Sequence, residues 1–270
     1  MSAESEQFGR EEFLEAHKSF AEKHKFVIEI FALVNRRNEA ERRSWANRLF
    51  FRLGMVSTSI LVLCKSELEN TDPGDFSILD HTSIAALGRT LLEAWLMFMY
   101  LSDPTTSEEE WALRRAILEL HDSLARYKAM KHMGDKKEAQ DFKPQINQLK
   151  TIISSDPLFK SLDSKQQDTI LAGTQLYING LRGAVRATGW EPNQFNWVYN
   201  ILSSHSHSAP LSFYREEGNP YEPVVGIVPS YQYLISGMAL GQCLVPLGLA
   251  CERMMFQVYP ELFLKGAAGH

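Results

Sequence analysis

The segment from Ile84 to Leu101 constrains the fold more than any other part of the sequence. It reads IAALGRTLLEAWLMFMYL, and Arg89 and Glu93 are its only charged residues. A helix this apolar is expected to be buried, and buried charges in proteins are almost always paired. We therefore expect Arg89 and Glu93 to meet polar partners inside the fold, and we take them as the first candidates for a functional site.

Apolar residues recur at helical spacing along most of the chain, and no segment alternates with period two for long enough to require a strand. Long helices joined by short turns pack as antiparallel neighbours. The sequence therefore predicts an all-α protein, a single-domain bundle of about seven to eight mostly antiparallel helices over residues 9–260. The terminal segments 1–8 and 261–270 are expected to be flexible.

Capping residues and prolines place the expected helix boundaries. Ser107 before three glutamates predicts a helix start, and Ser164 with Gln167 resembles a second capping pattern. Residues 208–228 predict a long irregular connection, of the kind that often covers a site. The expected helices run over about residues 9–67 (two helices or one interrupted helix), 77–102, 107–134, 164–175, 192–206 and 229–260.

Charge and cysteine content narrow the class of protein. The net charge of −5 disfavours a nucleic-acid binder that depends on bulk electrostatics. The 3 cysteines lie in apolar surroundings and form no Cys-x-x-Cys pair, which is typical of buried thiols in a reducing compartment. The N-terminus is acidic and has no apolar run of a signal peptide. We therefore expect a cytoplasmic protein.

The segment 233–250 is uncharged and approaches the length of a membrane span. Gln242, Ser236, Pro246 and several glycines lower its hydropathy, and basic residues do not flank it. This pattern favours a central core helix, wrapped by its neighbours, over a membrane helix.

Arg89 and Glu93 belong to a stripe at four-residue spacing that begins with His81 and Ala85. A pair of this kind on an apolar helix is expected to reach across the bundle. Two interpretations stay open: a buried ion pair that fixes the register of packed helices, or part of a functional site.

Tyr199, Ser203 and His207 also follow four-residue spacing and share one face of a helix. One interpretation is a polar ladder that holds a histidine tautomer and directs the ring. The other is a helix C-terminus whose side chains bind the last free carbonyl groups.

The two motifs together resemble a bacterial helical domain family of unknown function. Its Arg-x-x-x-Glu helix resembles Arg89 to Glu93, and its later Tyr-x-x-x-Ser-x-x-x-His motif resembles Tyr199, Ser203 and His207. The resemblance covers roughly residues 45–255 by the order of elements. It implies a helical fold and signature positions at these residues, and it attaches no activity to them.

Several chemistries can be weighed on these residues. His205-x-His207 does not converge on a metal if both residues are helical, and the acidic residues near His121 lack the Glu-x-x-His offset, so we expect neither a metal nor another cofactor. A metal-independent ribonuclease of the toxin or defence type would use His207 as acid or base and Arg89 to stabilise phosphate charge, with Glu93 beside them. A serine hydrolase lacks its nucleophile motif here.

The remaining hypothesis is a binding or interaction protein, and it is the one we favour. Arg89, Glu93, Tyr199, Ser203 and His207 would line an internal polar pocket for an anionic small molecule or a partner's acidic group. The aromatic residues Trp190, Phe195 and Trp197 are expected to be exposed and to support a homo-oligomer.

Overall fold

The structure is a computed structural model that describes residues 3–34, 40–69, 79–207 and 229–263. Every regular element in these ranges is a helix, which confirms the all-α prediction. The predicted connection 208–228 and the tail residues 264–270 lie outside the described residues.

The helices are more numerous than the seven to eight that the sequence predicts, because residues 136–187 form five short helices. Prolines at the first turns of two of them, Pro144 and Pro157, account for part of this division. The helices are α1 (Ala3–Val34), α2 (Glu41–Glu69), α3 (His81–Leu101), α4 (Glu108–Met133), α5 (Lys136–Asp141), α6 (Lys143–Ser155), α7 (Pro157–Lys160), α8 (Ser164–Leu171), α9 (Gly180–Ala187), α10 (Pro192–Ser206), α11 (Pro229–Arg253) and α12 (Pro260–Phe263), with a π-helical segment, Met254–Val258, before α12.

The described residues group into two compact units, which we treat separately. The first, which we call the bundle unit, contains α1, α2, α3, α11, α12 and nearly all of α10. The second unit spans Asp103–Pro192. The expectation of a single domain over 9–260 stays a prediction. Helix α1 begins at Ala3, and α12 ends at Phe263, so helix extends into both segments that the sequence predicts to be flexible.

The four long helices of the bundle unit form a ring in the order α1, α2, α3, α11. Arg10 near the start of α1 contacts Glu67 near the end of α2, so these helices are antiparallel. Helix α11 runs parallel to α3, since His81 meets Tyr231 where both helices begin. The same holds for α1, where Phe13 contacts Tyr233. Helices joined by short loops are expected to be antiparallel neighbours. Helix α11 is parallel to α1 and α3 because a long stretch of chain precedes it.

Spacings of three and four residues place the core side chains of α2 on one face. The buried positions along this face are Ala46, Phe50, Leu53, Ser57, Ile60, Cys64 and Glu67. This is the spacing of left-handed helix bundles, in which the core side chains pack into holes between side chains of the neighbouring helix. Two polar residues occupy core positions: Ser57 contacts His24, and Glu67 binds Arg10.

Three helices of the bundle unit meet at Gly88. A Cβ atom at Gly88 would lie 3.4 Å from Ala239 Cβ of α11 and 3.6 Å from Leu202 Cδ1 of α10. The Cys243 thiol of α11 also lies 3.8 Å from the Gly88 carbonyl oxygen. A Cβ at Gly88 would thus reach van der Waals contact with both neighbours, and a larger side chain would overlap them, one residue before Arg89.

The second unit has its own core, built where α4 packs on α6 and α8. Ser107 caps α4 as predicted, since its Oγ accepts from the Glu110 amide. The predicted cap at Ser164 is wrong, because Asp163 caps α8 through the Gln166 amide. An ionised carboxylate accepts a backbone N–H more strongly than a hydroxyl does.

Three described helical segments are long and apolar enough to cross a membrane by length and composition: Glu41–Lys65, His81–Leu101 and Tyr231–Val258. The sequence analysis singled out only the last of them. In the bundle unit the first and the last of them pack with α1, whose surface carries charged side chains such as Lys25 and Glu29. The cytoplasmic location and the absence of a membrane stay predictions.

We predict that Gly88→Val destabilises the protein by about 1–3 kcal/mol, because the added methyl groups overlap α10 and α11. Gly241→Val is the matched control, since no described heavy atom lies within 4 Å of a Cβ at this helical position. It should cost less than about 1 kcal/mol. Urea unfolding followed by circular dichroism measures both. Equal losses would contradict the close approach at Gly88.

Candidate functional site

The structure brings all of the predicted site residues together in the bundle unit. Arg89 Nε donates to Glu93 Oε1 at 3.1 Å, and Arg89 Nη1 donates to Ser203 Oγ at 3.1 Å. The same Nη1 lies 2.9 Å from His207 Nε2. Tyr199 donates its hydroxyl to Glu93 Oε1 at 2.6 Å. These contacts join α3 to α10 and to the turn that follows it, and we call the five residues the Arg89 cluster.

The contact with Arg89 gives His207 Nε2 the role of a hydrogen-bond acceptor. A guanidinium carries only hydrogen-bond donors, so the nitrogen that it contacts must hold a free lone pair. In this arrangement His207 is therefore neutral, with its hydrogen on Nδ1 and its Nε2 accepting from Arg89. The polar-ladder interpretation holds only in part, because Arg89 joins Ser203 to His207 and Tyr199 binds Glu93 instead. The neighbouring Ser204 and His205 bind backbone carbonyl groups, as the helix C-terminus interpretation predicts.

The prediction that Arg89 and Glu93 are buried is wrong. Their side chains retain 25% and 48% of their accessible surface. His81 and Ala85, earlier in the same stripe, are buried. The stripe therefore begins in the core and ends at the surface, and the cluster is a half-exposed site rather than an internal pocket.

Electrostatic contacts in the cluster shift two pKa values. Burial and then the hydrogen bond to Glu93 raise the pKa of Tyr199. Burial lowers the pKa of Arg89, but Tyr199 and Glu93 together outweigh it and hold the pKa above its ordinary value. The Arg89 guanidinium also lies over the Tyr199 ring, 4.8 Å from its centroid. The guanidinium is thus held in a fixed orientation, at its Nε edge by Glu93 and on one face by Tyr199.

A second triad with the same residue types lies elsewhere in the bundle unit. Arg10 Nε donates to Glu67 Oε1 at 3.0 Å, and the Tyr233 hydroxyl donates to the same oxygen at 2.7 Å. Burial and the bond to Glu67 raise the pKa of Tyr233 to about 12. Sequence reasoning missed this triad, although Glu67 falls on the three-and-four spacing of the α2 core.

A buried histidine pair was also missed. His205 Nδ1 lies 2.8 Å from the Ile201 carbonyl oxygen, and Nε2 lies 2.8 Å from the Tyr231 hydroxyl. The His81 ring stands edge-on to His205, with centroids 6.1 Å apart. Since these contacts link α3, α10 and α11, they fix the end of α10 from which His207 extends. Helical spacing indicates that such positions are buried, but it does not indicate which polar partner a buried histidine has.

His205 and His207 do not form a joint metal site. His205 binds Tyr231, whereas His207 binds Arg89. Within the described ranges, no three histidine, cysteine, aspartate or glutamate side chains group as metal ligands. The three thiols are buried, and burial raises the pKa of Cys64, Cys243 and Cys251 to about 12 in each case.

The three aromatic residues that the sequence predicts to be exposed lie in different environments. Trp197 keeps 57% of its surface, whereas Phe195 is buried, with its ring stacked on Tyr199. The expectation that Phe195 contacts another subunit is therefore wrong, because it supports the ring on which Arg89 lies. Trp190 is partly buried in the second unit. Self-association stays a prediction.

The chain matches no protein-family model, no curated protein and no solved structure. The resemblance to the bacterial helical family therefore stays a prediction, and the functional argument depends on the Arg89 cluster alone.

Glu67 of the Arg10 triad is more buried than Glu93 of the Arg89 cluster. This difference tests whether Arg89 and Glu93 are only a structural ion pair. Glu67 is 7% exposed, so we expect Glu67→Gln to cost about 1–3 kcal/mol through loss of a buried charged hydrogen-bond network. Glu93→Gln should cost less than about 1 kcal/mol, because water screens the exposed pair. Urea unfolding of both variants measures the difference. A cost at Glu93 as large as that at Glu67 would favour a purely structural role.

Proposed function

We propose that the bundle unit binds an anionic group, from a small molecule or a partner protein, on the Arg89 cluster. The observation that carries the proposal is the contact of Arg89 Nη1 with both Ser203 Oγ and His207 Nε2. Glu93 binds the Nε edge of the Arg89 guanidinium. The Ser203 hydroxyl and the His207 imidazole lie together at Nη1, next to the positive charge. Guanidinium and hydroxyl groups are donors that proteins use for carboxylates and phosphates.

Accessibility supports this proposal over a purely structural ion pair. Arg89 is half-buried, which orients the guanidinium and leaves part of it open to a ligand. His207 is exposed in the turn after α10. A group that only fixed helix register would not require an exposed imidazole at the end of the network.

Binding of inorganic phosphate provides the test. Isothermal titration calorimetry near neutral pH should detect phosphate binding to the intact chain. Arg89→Gln should weaken the affinity by about tenfold or more, since a charged hydrogen bond contributes about 1.5–3 kcal/mol.

The matched control is Arg126→Gln. Arg126 also pairs with a carboxylate four residues away, Asp122, on an exposed helix face, and it lies outside the Arg89 cluster. This variant should bind phosphate as the wild type does. No phosphate binding by the wild type, or an equal loss in both variants, would refute the proposal.

The alternative function is metal-independent cleavage of RNA. It is favoured by the 2.9 Å contact between Arg89 and His207, which puts an acid–base group beside a cation that could stabilise phosphate charge. We rank it second, because the chain has a net charge of −5 and Glu93 lies beside the cation. Both features repel a polyanion.

RNA cleavage separates the two functions. If the alternative is correct, the wild type degrades unstructured RNA in the presence of a chelator, and His207→Ala abolishes the cleavage. Because His207 is exposed, the melting temperature of this variant should stay near that of the wild type. Phosphate binding without RNA cleavage would leave anion binding as the function.

A further inference from the structure

We propose that anion binding at the Arg89 cluster is coupled to the uptake of one proton by His207, which makes the site a proton-linked receptor for acidic groups. This inference depends on the proposed function. It follows from the contact between Arg89 Nη1 and His207 Nε2, which requires an acceptor, and so a neutral imidazole, in this arrangement.

Binding of an anion at the Arg89 cluster requires a positive charge in addition to that of Arg89. Arg89 and Glu93 form an ion pair, so their charges cancel, and Tyr199 and Ser203 are neutral donors. An anion entering this site therefore meets no net positive charge as long as His207 is neutral. Protonation at Nε2 turns the acceptor into a charged donor, and the site then carries a net charge of about +1.

Geometry determines where the anion binds. Protonated His207 and Arg89 repel each other at 2.9 Å, because both would point a hydrogen into the same gap. The two side chains then move apart, and an anion oxygen that enters between Nη1 and Nε2, about 2.8 Å from each, accepts from both groups and removes this repulsion. Proton and anion thus stabilise each other at the site, and neither is favoured there alone.

The surroundings of His207 support its charged form in the complex. The charged and titratable groups of its network are Arg89 and Glu93 from α3 and Tyr199 from α10. Helix α11 has no charged residue from Tyr231 to Cys251, and its Tyr231 binds His205 instead. His207 follows the last residue of α10, where the helix dipole favours a positive charge.

Sulfate is the suitable probe, because its own charge does not change between about pH 5.5 and pH 8, the range in which histidine titrates. Calorimetric titrations across this range should show an affinity that falls as the pH rises, by at most about tenfold per pH unit, which is the limit for linkage of one proton. Titrations near neutral pH in buffers of different ionisation enthalpy count the protons taken up. We expect close to one proton per sulfate.

His207→Gln keeps hydrogen-bonding groups at this position and removes the titration. It should bind sulfate weakly and with the same affinity at every pH. His132→Gln, at an exposed histidine of α4, is the control and should keep the wild-type pH dependence. Comparing variants at each pH also cancels the acid sensitivity expected from His17 and His24, whose pKa values burial lowers.

The outcomes distinguish the two proposals. Sulfate binding by the wild type that does not depend on pH, or an equal pH dependence in His207→Gln, would overturn the proton coupling and leave the anion site intact. No sulfate or phosphate binding at any pH would refute the proposed function itself.

Discussion

The Arg89 guanidinium connects two helices that are far apart in the sequence, and its hydrogen bonds define the candidate site. Nε binds Glu93 on the same helix, and Nη1 reaches Ser203 and His207 at the end of α10. Gly88, one residue earlier, lies beside Leu202 of α10 and Ala239 of α11. A packing contact of the core and a polar cluster of the surface are thus adjacent in the sequence.

Burial separates the role of this cluster from that of the Arg10 triad. Both combine an arginine, a glutamate and a tyrosine, and in both the tyrosine and the arginine bind the same carboxylate oxygen. Glu67 is almost fully enclosed, which makes the Arg10 triad a link between α1, α2 and α11. The Arg89 cluster is half-exposed and adds an imidazole. The same residue types therefore form an enclosed structural triad in one place and, as we propose, an anion-binding site in the other.

The spacing of the two motifs predicts the convergence of Arg89 with Tyr199, Ser203 and His207, whereas it does not predict their exposure. Positions four apart rotate by about 40° per step around an α-helix, so a stripe of four such residues turns by about 120°. His81 therefore faces the core while Glu93 faces solvent. The parallel course of α11 and the division of residues 136–187 into short helices depend on packing between distant segments, which periodicity does not encode.

Both proposals depend on a neutral His207 that accepts a hydrogen bond from Arg89. Nitrogen-15 NMR of the histidine rings, at a pH above the range in which histidine titrates, observes this directly. The structure predicts that His207 carries its hydrogen on Nδ1 and that Arg89→Gln removes this preference. A hydrogen on Nε2 in the wild type, or a ring that does not respond to Arg89→Gln, would contradict the arrangement on which both proposals depend.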